Sequence, residues 1–507
     1  MQEFTTLAAI DLGSNSFRLE VARIVDDQIY PLDSLKETIR LAGGLTPQKY
    51  LDEAAQHRAL ACLQCFGERL RGFPPHAVRA VGTNTLRVAK NAAAFLEKAE
   101  ALLGFPIDII TGREEARLIY LGVSHRLPPT DEKRLVVDIG GGSTELIIGS
   151  RFTPHETESR YMGCVTYSQR YFPDGKITRN ALNSAELAAR TELRNMAGDF
   201  SSPHWRQAIG SSGTARALAE VLEANQFSSG GITTDGLAKL RAELLKAKDS
   251  KKLNLAALRP EREPVIAGGF AIMSAVFAEL GVAQMTISSS GLREGLLYDL
   301  LGRISRHDTR DGTVRQFMQR YHIDREQAMR VEELASALLE QVGEFVSLDM
   351  DAAQQQLGWA AKLHEAGLDI ANSSYHKHGA YIVGNADMPG FSRTEQRSLG
   401  LLILAQRGAL GKLQNRQLDT RDWALILALR LAILFYRSRT DIPLPRFHLK
   451  WRANTFALSL ERCWLQKNRL AETMLKAESR EWKNIGIGLK ILPFGTPNEH
   501  LTALETA

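Results

Sequence analysis

The 507-residue sequence predicts two similar α/β domains followed by a mainly helical region. Strand and helix patterns alternate over the first 150 residues, which is typical of an α/β fold with a mixed or largely parallel sheet. A strand–turn–strand motif that starts at Ile10 recurs at Val137, an offset of 127 residues, and so predicts a duplicated domain. From about residue 306, helical periodicity dominates and strand patterns are few until the last 50 residues.

Apolar spacing places the elements of the first domain in order. Short apolar or alternating runs predict strands at Leu7–Ile10, Phe17–Ile24, Val78–Val81, Ile107–Ile110 and Leu135–Ile139. Apolar residues at helical spacing predict helices at Leu51–Leu70, Ala89–Gly104 and Glu114–Val123. Further along, AIGSSGTARAL from Ala208 and TISSSGLREGL from Thr286 each predict a strand, a Ser-Ser-Gly turn and a helix.

The later sequence predicts long helices that begin near Arg325 and Arg421. The predicted domains are an α/β domain at 1–128, a second at 129–305, a helical domain at 306–475 and a small strand-bearing segment at 476–507. The linker is expected at Arg303–Thr313, where charged and small residues interrupt the apolar pattern. Two similar domains that face each other would place their turn-rich loops around one cleft.

Composition favours a globular protein, with 44% hydrophobic and 24% charged residues. The first residues lack the basic and apolar regions of a signal peptide, and the apolar stretch Trp423–Tyr436 is too short to span a membrane and contains Arg430. Cys62 and Cys65 form a CxxC within a helical pattern, so two buried cysteines are expected rather than a zinc or redox site. The expected compartment is the cytoplasm, with peripheral membrane association left open.

Charge is concentrated in one segment. Arg393–Lys490 holds 19 basic and 8 acidic residues, a net charge of +11, whereas the whole chain carries +5 and the remainder therefore −6. The segment is either a solvated basic face of a helical domain or a surface that receives a polyanion such as nucleic acid, anionic lipid or an inorganic phosphate chain. Charge alone does not choose between them.

The duplicated motifs, IDLGSNS and VDIGGGS, have the composition of phosphate-binding loops. Aligning them superposes Asp11 on Asp138, and in both a strand is followed by a turn of small residues. Glycine allows positive φ and close approach of the backbone, so successive N–H groups can converge on an anion. The two carboxylates would repel phosphate unless a cation lay between them, and a partly hydrated magnesium ion suits that role. An ordinary hairpin turn is the alternative for either motif alone.

Three charged residues nearby are candidates for catalysis. Glu114 and Glu115 open a helix, where carboxylates interact favourably with the helix dipole. Glu115 also precedes the second loop, and a carboxylate there could take a proton from a water molecule that attacks phosphorus. Arg87 follows a strand and could neutralise charge on phosphoryl oxygens, although a surface salt bridge is an equal alternative.

Six motifs occur in an order that resembles the exopolyphosphatase and guanosine pentaphosphate phosphatase family: IDLGSNSFRL, GTNTLR, GREEARLIYLGV, VVDIGGGSTEL, MGCVTYSQRYFP and GSSGTARAL. LHEAGL and HGAYIVGNADMPGF extend the resemblance into the helical half. It implies duplicated actin-like (ribonuclease H-like) α/β domains, a helical HD-like domain and a homodimer. It also implies magnesium-dependent removal of the terminal phosphate from inorganic polyphosphate or guanosine pentaphosphate. A monovalent cation such as K⁺ is left open, and no nucleic acid partner is expected.

The resemblance also assigns roles to residues of this chain. The catalytic base falls on Glu115, a phosphate-contacting arginine on Arg87, and the carboxylates that hold metal or position water on Asp138 and Glu145, alongside Asp11 from the first loop. The phosphate-binding positions are Gly13, Ser14, Asn15, Ser16, Gly140, Gly141, Gly142, Ser143, Thr144, Ser211, Ser212 and Gly213.

Small motif differences, together with the basic segment, favour polyphosphate over guanosine pentaphosphate as substrate, because a long phosphate chain needs an extended basic track. An actin-like ATPase or sugar kinase, or a non-catalytic sensor of polyphosphate or alarmone, would use the same loops. AKLHEAGLDI and YHKHGAY resemble helices of His/Asp metal phosphohydrolases, but Glu365 stands where those proteins have aspartate. A second metal site is therefore not expected, and His364, His376 and His378 are predicted to be packing or surface residues.

Overall fold

The computed structural model describes residues 6–25, 28–304, 308–346 and 348–495. These residues form two compact units. The N-terminal unit runs to Thr309 and includes Pro389–Arg393, and the helical unit comprises Arg310–Met388 and the described residues from Thr394 onward. The predicted linker, Arg303–Thr313, lies partly outside the described residues, but the division between the units falls within it.

The first sheet of the N-terminal unit has the order β3-β2-β1-β4-β5. Its strands are β1 Thr6–Leu12, β2 Ser16–Val25, β3 Gln28–Thr38, β4 Val78–Gly82 and β5 Ile107–Ile109. β1, β2 and β3 form an antiparallel meander, while β4 and β5 pair in parallel. β1 is apolar apart from Thr6 and Asp11, and it lies almost entirely buried, as expected for a strand covered on both faces.

The second sheet repeats this arrangement, with the order β10-β11-β9-β6-β7-β8. Its strands are β6 Arg134–Ile139, β7 Thr144–Ser150, β8 Thr153–Arg160, β9 Gln207–Ser211, β10 Ile232–Thr233 and β11 Gln284–Ile287. β8, β7, β6, β9 and β11 correspond in order and direction to β3, β2, β1, β4 and β5. The duplicated α/β fold predicted from the two motifs is therefore confirmed.

Besides short 3-10 turns, eleven α-helices are described in the N-terminal unit: α1 Glu53–Arg69, α2 Asn84–Val88, α3 Ala92–Leu103, α4 Gly112–Ser124, α5 Cys164–Tyr171, α6 Arg179–Arg194, α7 Ala197–Phe200, α8 Ser212–Ala224, α9 Thr234–Ala247, α10 Ile266–Leu280 and α11 Leu292–Ile304. The predicted helices correspond to α1, α3 and α4, and Gly104 adopts the left-handed conformation that ends α3. On α1, Cys62 is buried but Cys65 is exposed, so the prediction of two buried cysteines was wrong for Cys65.

α11 follows the second sheet in sequence but packs against the first. Its Leu296, Leu297 and Leu300 share a core cluster with Leu7 and Ala9 of β1. The predicted second domain, 129–305, therefore includes a helix that packs with the first sheet. Apolar periodicity shows which face of a helix is buried, but not which sheet covers that face.

The helical unit contains eight helices and a three-stranded sheet among its described residues. The helices are α12 Thr309–Arg320 (its first residue in the N-terminal unit), α13 Arg325–Gly343, α14 Met350–Leu363, α15 Tyr375–Asn385, α16 Arg393–Ala405, α17 Thr420–Phe435, α18 Arg462–Lys467 and α19 Arg469–Asn484. The strands β12 Phe447–Arg452, β13 Thr455–Glu461 and β14 Gly488–Phe494 pair in that order. The boundary predicted between residues 475 and 476 falls inside α19, which joins two paired strands. Residues 496–507 of the predicted tail lie outside the described residues.

Two apolar helices bear on the expectation that no segment spans a membrane. Glu263–Leu280 is long and apolar enough to do so by length and composition, although two thirds of it lies buried in the fold, as in a core helix. The predicted stretch Trp423–Tyr436 largely coincides with α17, which is buried on nearly every face, including Arg430. Burial of both helices within their units accounts for their apolar composition.

Candidate active site

The phosphate-loop sequences converge on one cleft in the N-terminal unit, which encloses about 150 Å³. Its lining includes Gly13 to Ser16, Gly140 to Ser143 and Ser211 to Gly213, as well as both aspartates. A β-carbon added to Gly141 would lie 3.1 Å from the backbone nitrogen of Asn15, and one added to Gly142 would lie 2.7 Å from Asn84 Oδ1. None of the loop glycines has positive φ. Gly141 and Gly142 are therefore needed for close approach to the first loop and to Asn84, and not for a left-handed turn.

The third loop brings a helix N-terminus to the cleft. Ser212 begins α8 and has an unusual positive φ of 78° for a residue other than glycine. Its hydroxyl accepts a hydrogen bond from the backbone N–H of Thr214 (3.2 Å). Free backbone N–H groups in the first turn of a helix favour bound phosphate, and strained backbone conformations occur often at functional sites. The predicted placement of Ser211 to Gly213 thus agrees with the geometry.

Two partly buried aspartates, Asp11 and Asp138, line the cleft. Burial raises the pKa of Asp11 to about 6, opposed by the charge of Arg18. Burial also raises the pKa of Asp138 to about 6, opposed by a hydrogen bond from Ser211. Oδ1 of Asp11 is buried with no hydrogen-bond partner. Both carboxylates would be stabilised in their charged form by a cation placed between them.

Glu115 stands at the N-terminus of α4, where the Thr111 hydroxyl caps the helix. Its carboxylate lines the cleft, and Oε2 accepts a hydrogen bond from Nη1 of Arg87 (3.2 Å). Burial raises the pKa of Glu115 to about 7, and the nearby charges of Asp11 and Asp138 add to the rise while Arg87 opposes it. A carboxylate with a pKa near neutrality is suited to act as a general base.

Arg87 lies behind Glu115 and is not part of the cleft lining. Its Nη1 also donates to the carbonyl of Ile110 (2.8 Å), which fixes the guanidinium against the base. In this structure Arg87 contacts Glu115, the predicted base, whereas the sequence analysis predicted that Arg87 contacts phosphate.

Glu145 and Thr144 also lie outside the cleft lining. Glu145 is opposite Asp138 in the β6–β7 pair, and its Oε1 accepts a hydrogen bond from Ser159 (2.9 Å). Burial raises its pKa well above the ordinary value, and Glu115 and Asp138 add to the rise. The hydroxyl of Thr144 donates to the carbonyl of Met162 (2.6 Å), which gives Thr144 a structural contact.

Four arginines that the sequence analysis did not select line the same cleft: Arg18, Arg216, Arg262 and Arg293. Arg18 holds the position in the first motif that Glu145 holds in the second. Burial lowers the pKa of Arg18, and the positive charges of Arg293, Arg262 and Arg216 lower it further, so these guanidiniums lie close together. Such a concentration of positive charge favours a multiply charged anion. The Ser-Ser-Gly echo, which carries Arg216 and Arg293 on its helices, was the available signal.

The two adjacent glutamates at the start of α4 have different surroundings. Glu114 accepts two hydrogen bonds from Arg117 (both 2.8 Å) and one from the backbone N–H of Gly390 (3.0 Å). Arg117 and Arg79 both pair with buried Asp299 of α11. Glu114 therefore belongs to a buried ionic cluster that fixes α4, while Glu115 faces the cleft.

Two glycine-rich loops, a helix N-terminus and a buried carboxylate surround one cleft of a duplicated α/β unit, an arrangement suited to the binding of phosphate groups. The model of the Ppx/GppA phosphatase family matches residues 20–304, and that of the Ppx/GppA phosphatase domain III matches residues 309–479. The chain belongs to the Ppx/GppA phosphatase family and is a hydrolase that acts on phosphoanhydride bonds.

Individual relatives carry two kinds of name. A protein from Vibrio cholerae serotype O1 named guanosine-5′-triphosphate,3′-diphosphate pyrophosphatase is 38% identical over 486 residues, which is 96% of this chain and 97% of the relative. The crystal structure of an exopolyphosphatase from Cytophaga hutchinsonii is 25% identical, with a TM-score of 0.54 over 59% of this chain and 98% of that one. A Ppx/GppA family member from Aquifex aeolicus is 26% identical, with a TM-score of 0.50 over 59% and 99%.

Replacing Asp138 with asparagine is expected to raise the melting temperature of the metal-free protein at pH 7.5. Because the folded-state pKa is raised to about 6, the protonated carboxyl stabilises the fold below pH 4, and this contribution is lost as pH rises through 6. Asparagine carries no charge, so the gain at neutral pH is on the order of 1–3 kcal/mol. Thermal melts from pH 4 to 8 should show the two proteins converging at low pH. A variant that melts below the wild type at pH 7.5 would contradict the burial argument.

Proposed function

We propose that the cleft catalyses attack of water on the terminal phosphate of a polyphosphorylated substrate, with Glu115 as the general base. The observation that carries the proposal is a buried carboxylate with a pKa of about 7 that faces two phosphate loops. In this mechanism Glu115 takes a proton from water as the water oxygen bonds to phosphorus and the phosphoanhydride bond breaks. The new phosphate leaves with its charge compensated by the cleft arginines and loop N–H groups.

The other residues have positioning roles in this proposal. Arg87 donates one hydrogen bond to Glu115 and is anchored by a second to the carbonyl of Ile110, which holds the Glu115 carboxylate in one orientation. Ser159 fixes Glu145 next to Asp138 and outside the cleft lining, so Glu145 acts on the site through its neighbours Asp138 and Glu115. Arg18 neutralises charge on the phosphate chain, whereas Arg293 is already paired with Glu20.

Magnesium is the proposed cofactor, and the residues present fit a partly hydrated ion. Among the described residues, no three His, Cys, Asp or Glu side chains group closely enough to form a complete metal cage. Magnesium commonly keeps several waters and takes one or two carboxylates together with substrate phosphates. Asp11, whose Oδ1 lacks a partner, and Asp138 would hold the ion. The ion would supply charge neutralisation for the phosphate groups.

Asp138→Asn is expected to raise the magnesium concentration required for half-maximal activity by roughly tenfold or more, because it removes a cleft carboxylate. Glu145→Gln, which changes a side chain outside the cleft lining, should shift that concentration less. Activity measured across a magnesium titration tests both, with Asp131→Asn as a matched change at an exposed surface position. A titration curve of Asp138→Asn that matches the wild type would remove the metal role of Asp138.

Guanosine 5′-triphosphate 3′-diphosphate is the first candidate substrate. Its support is the relative of that name, which aligns over nearly the full length of both chains. Inorganic polyphosphate is the second candidate, supported by the basic segment Arg393–Lys490 and by the name of the Cytophaga structure. Within the helical unit, part of the positive charge of this segment is already neutralised: Arg430 pairs with Glu478, Arg439 with Glu365, and Arg421 with Asp419. These pairs weaken the argument for a continuous track.

The two candidate substrates are distinguished by measuring phosphate release from each of them at the same magnesium concentration. Glu115→Gln serves as the inactive control. If polyphosphate uses the basic segment, replacing Arg462, Lys467 and Arg469 with glutamine should weaken binding of long chains and make its salt dependence shallower. Turnover of the nucleotide by this variant should remain unchanged. In the control variant, with Lys251→Gln and Lys252→Gln, the activities on both substrates should remain unchanged. The full chain is required, because Pro389–Arg393 packs within the N-terminal unit. If the wild type and the variant showed the same salt dependence of polyphosphate binding, these basic residues would not form a binding track for polyphosphate.

A further inference from the structure

The helical unit contains a second cavity, of about 510 Å³, which shares no residue with the catalytic cleft. Its lining combines buried polar side chains, including Gln327, His364 and Gln406, with exposed arginines, including Arg407 and Arg437. The volume lies within the range of pockets that bind small organic ligands. Neither the buried glutamines nor the arginines are explained by the chemistry proposed for the cleft.

The buried part of the lining presents hydrogen-bond acceptors that have no donor. Nε2 of Gln406 donates to the carbonyl of His364 (2.7 Å), and Nε2 of Gln327 donates to the carbonyl of Tyr436 (2.9 Å). These bonds fix the orientation of both amides and leave both Oε1 atoms buried without a partner. Buried polar atoms in native proteins are nearly always hydrogen-bonded, so an unpaired pair in one cavity points to a missing donor.

His364 adds a third acceptor to the same wall. Its Nδ1 lies 2.6 Å from the carbonyl of Ala361, so this nitrogen carries the proton of the neutral ring. Burial lowers the pKa of His364, which favours that neutral form. Nε2 is then an acceptor, like the two glutamine oxygens, and the carboxylate oxygen 3.8 Å from it, Oε1 of Glu365, is already engaged by Arg439. A ligand that satisfies this wall must carry several N–H or O–H donors.

The exposed part of the lining is positively charged. Arg430 and Arg439 are neutralised by Glu478 and Glu365, whereas the described residues give Arg407 and Arg437 no ion pair. The remaining carboxylate of the lining is Glu481, so positive charge is in excess.

Lysine side chains extend this positive region. Burial lowers the pKa of Lys412 to about 8, and the charges of Arg430 and Lys377 lower it further. Nearby His376 is buried and its Nδ1 has no partner. The lining arginines exceed the lining carboxylates by one, and the neighbouring lysines add to this excess, which favours an anionic group.

We infer that this cavity is a nucleotide-binding site, with the base on the acceptor wall and the phosphate on Arg407 and Arg437. The N–H groups of a nucleobase match Gln327 Oε1, Gln406 Oε1 and His364 Nε2, while guanidinium groups bind phosphate through paired hydrogen bonds. Inorganic phosphate or a phosphate chain carries too few donors for three acceptors. The aromatic ring of Tyr375, over which Arg407 lies at 5.4 Å, provides apolar surface for a base.

The test is calorimetric titration of the full chain with nucleoside monophosphates, which have no phosphoanhydride bond for the cleft to hydrolyse. The probes are GMP and AMP, compared with guanosine, ribose 5-phosphate and inorganic phosphate, all in excess chelator. Hydrogen exchange locates the bound ligand. We expect a monophosphate to protect the backbone around residues 403–410 and 430–437, and to bind more tightly than its nucleoside, ribose 5-phosphate or phosphate.

Variants separate the two ends of the site. Arg407→Gln with Arg437→Gln should weaken the monophosphate by roughly tenfold or more and guanosine much less, because both guanidiniums bind the phosphate in this proposal, although Arg407 also lies over the Tyr375 ring. Gln406→Met should weaken nucleotide and nucleoside together, with melts confirming the fold. Arg416→Gln, an exposed arginine outside the cavity lining, is the matched control. Protection confined to the phosphate loops of the cleft would overturn the proposal, as would ribose 5-phosphate or phosphate binding as tightly as the monophosphates.

Discussion

Glu115→Gln is expected to lower turnover by about 10²–10⁴-fold while leaving substrate affinity largely unchanged. Glutamine preserves the size of the side chain and can still contact Arg87, but it cannot accept the proton of the attacking water. Single-turnover phosphate release and substrate binding, measured on the same preparation, separate the two effects. Phosphate release within a few-fold of the wild type would exclude Glu115 as the base.

The same substitution should not destabilise the protein. Burial raises the pKa of Glu115 to about 7, so ionisation of this carboxyl group opposes folding as pH rises from about 4.5 through 7. Glutamine removes that opposition, and the variant should melt at or above the wild-type temperature at pH 8. Wild-type activity should rise with pH through about 7, because only the deprotonated carboxylate can act as a base.

The adjacent glutamate supplies a matched control. Glu114→Gln weakens the pairing with Arg117 and leaves the buried Arg117–Asp299–Arg79 cluster short of one negative charge. Breaking a buried ion pair on one side is strongly destabilising, by about 3–5 kcal/mol. Glu114→Gln should therefore lower stability, and Glu115→Gln should lower turnover. The reverse result would exchange the roles assigned to these residues.

The positions of the two loops and of Glu115 at one cleft were predictable from sequence because their signals are local. Asp11 and Asp138 each stand in a strand before a run of small residues, and the repeat places both loops in equivalent positions. Arg18 was not predicted, because the local sequence around a single arginine in an amphipathic strand does not indicate which way its side chain points. It lines the cleft only because β2 pairs with β1 in the register that sets Arg18 opposite Asp11.

Two other features were not predicted from sequence: the hairpin between β12 and β13, and the sheet on which α11 packs. The hairpin between β12 and β13 turns through Ala453 and Asn454, both with positive φ, and this pair lacks the glycine that usually marks such a turn. The packing of α11 on the first sheet depends on which surface is available after both sheets have formed. Periodicity shows that a helix has an apolar face, but the identity of its partner is set by the whole fold.

The helices α4 and α11 approach so closely that two glycines are required between them. A β-carbon added to Gly295 would lie 1.8 Å from the carbonyl oxygen of Leu118, and one added to Gly122 would lie 2.1 Å from the carbonyl oxygen of Gly291. Backbone atoms on both sides leave no side chain that could rotate away. α4 carries Glu115 at its N-terminus, and Gly291, just before α11, lines the cleft. The spacing of these two helices therefore sets the position of the base relative to the phosphate loops.

Gly295→Ala is accordingly expected to lower the free energy of unfolding by about 3 kcal/mol or more, at the upper end of overpacking effects because the clash is with backbone. The helices must separate to admit the methyl group, so the folded fraction should also lose turnover as Glu115 moves away from the cleft. Urea unfolding measures the loss of stability. Turnover measured without denaturant, well below the melting temperature, reports the displacement of Glu115. Gly198→Ala, in α7 of the same unit, adds a β-carbon with no atom within 4 Å and should leave both quantities within about 1 kcal/mol and twofold of the wild type. If Gly295→Ala behaved like Gly198→Ala, close packing of α4 on α11 could not be what positions the base.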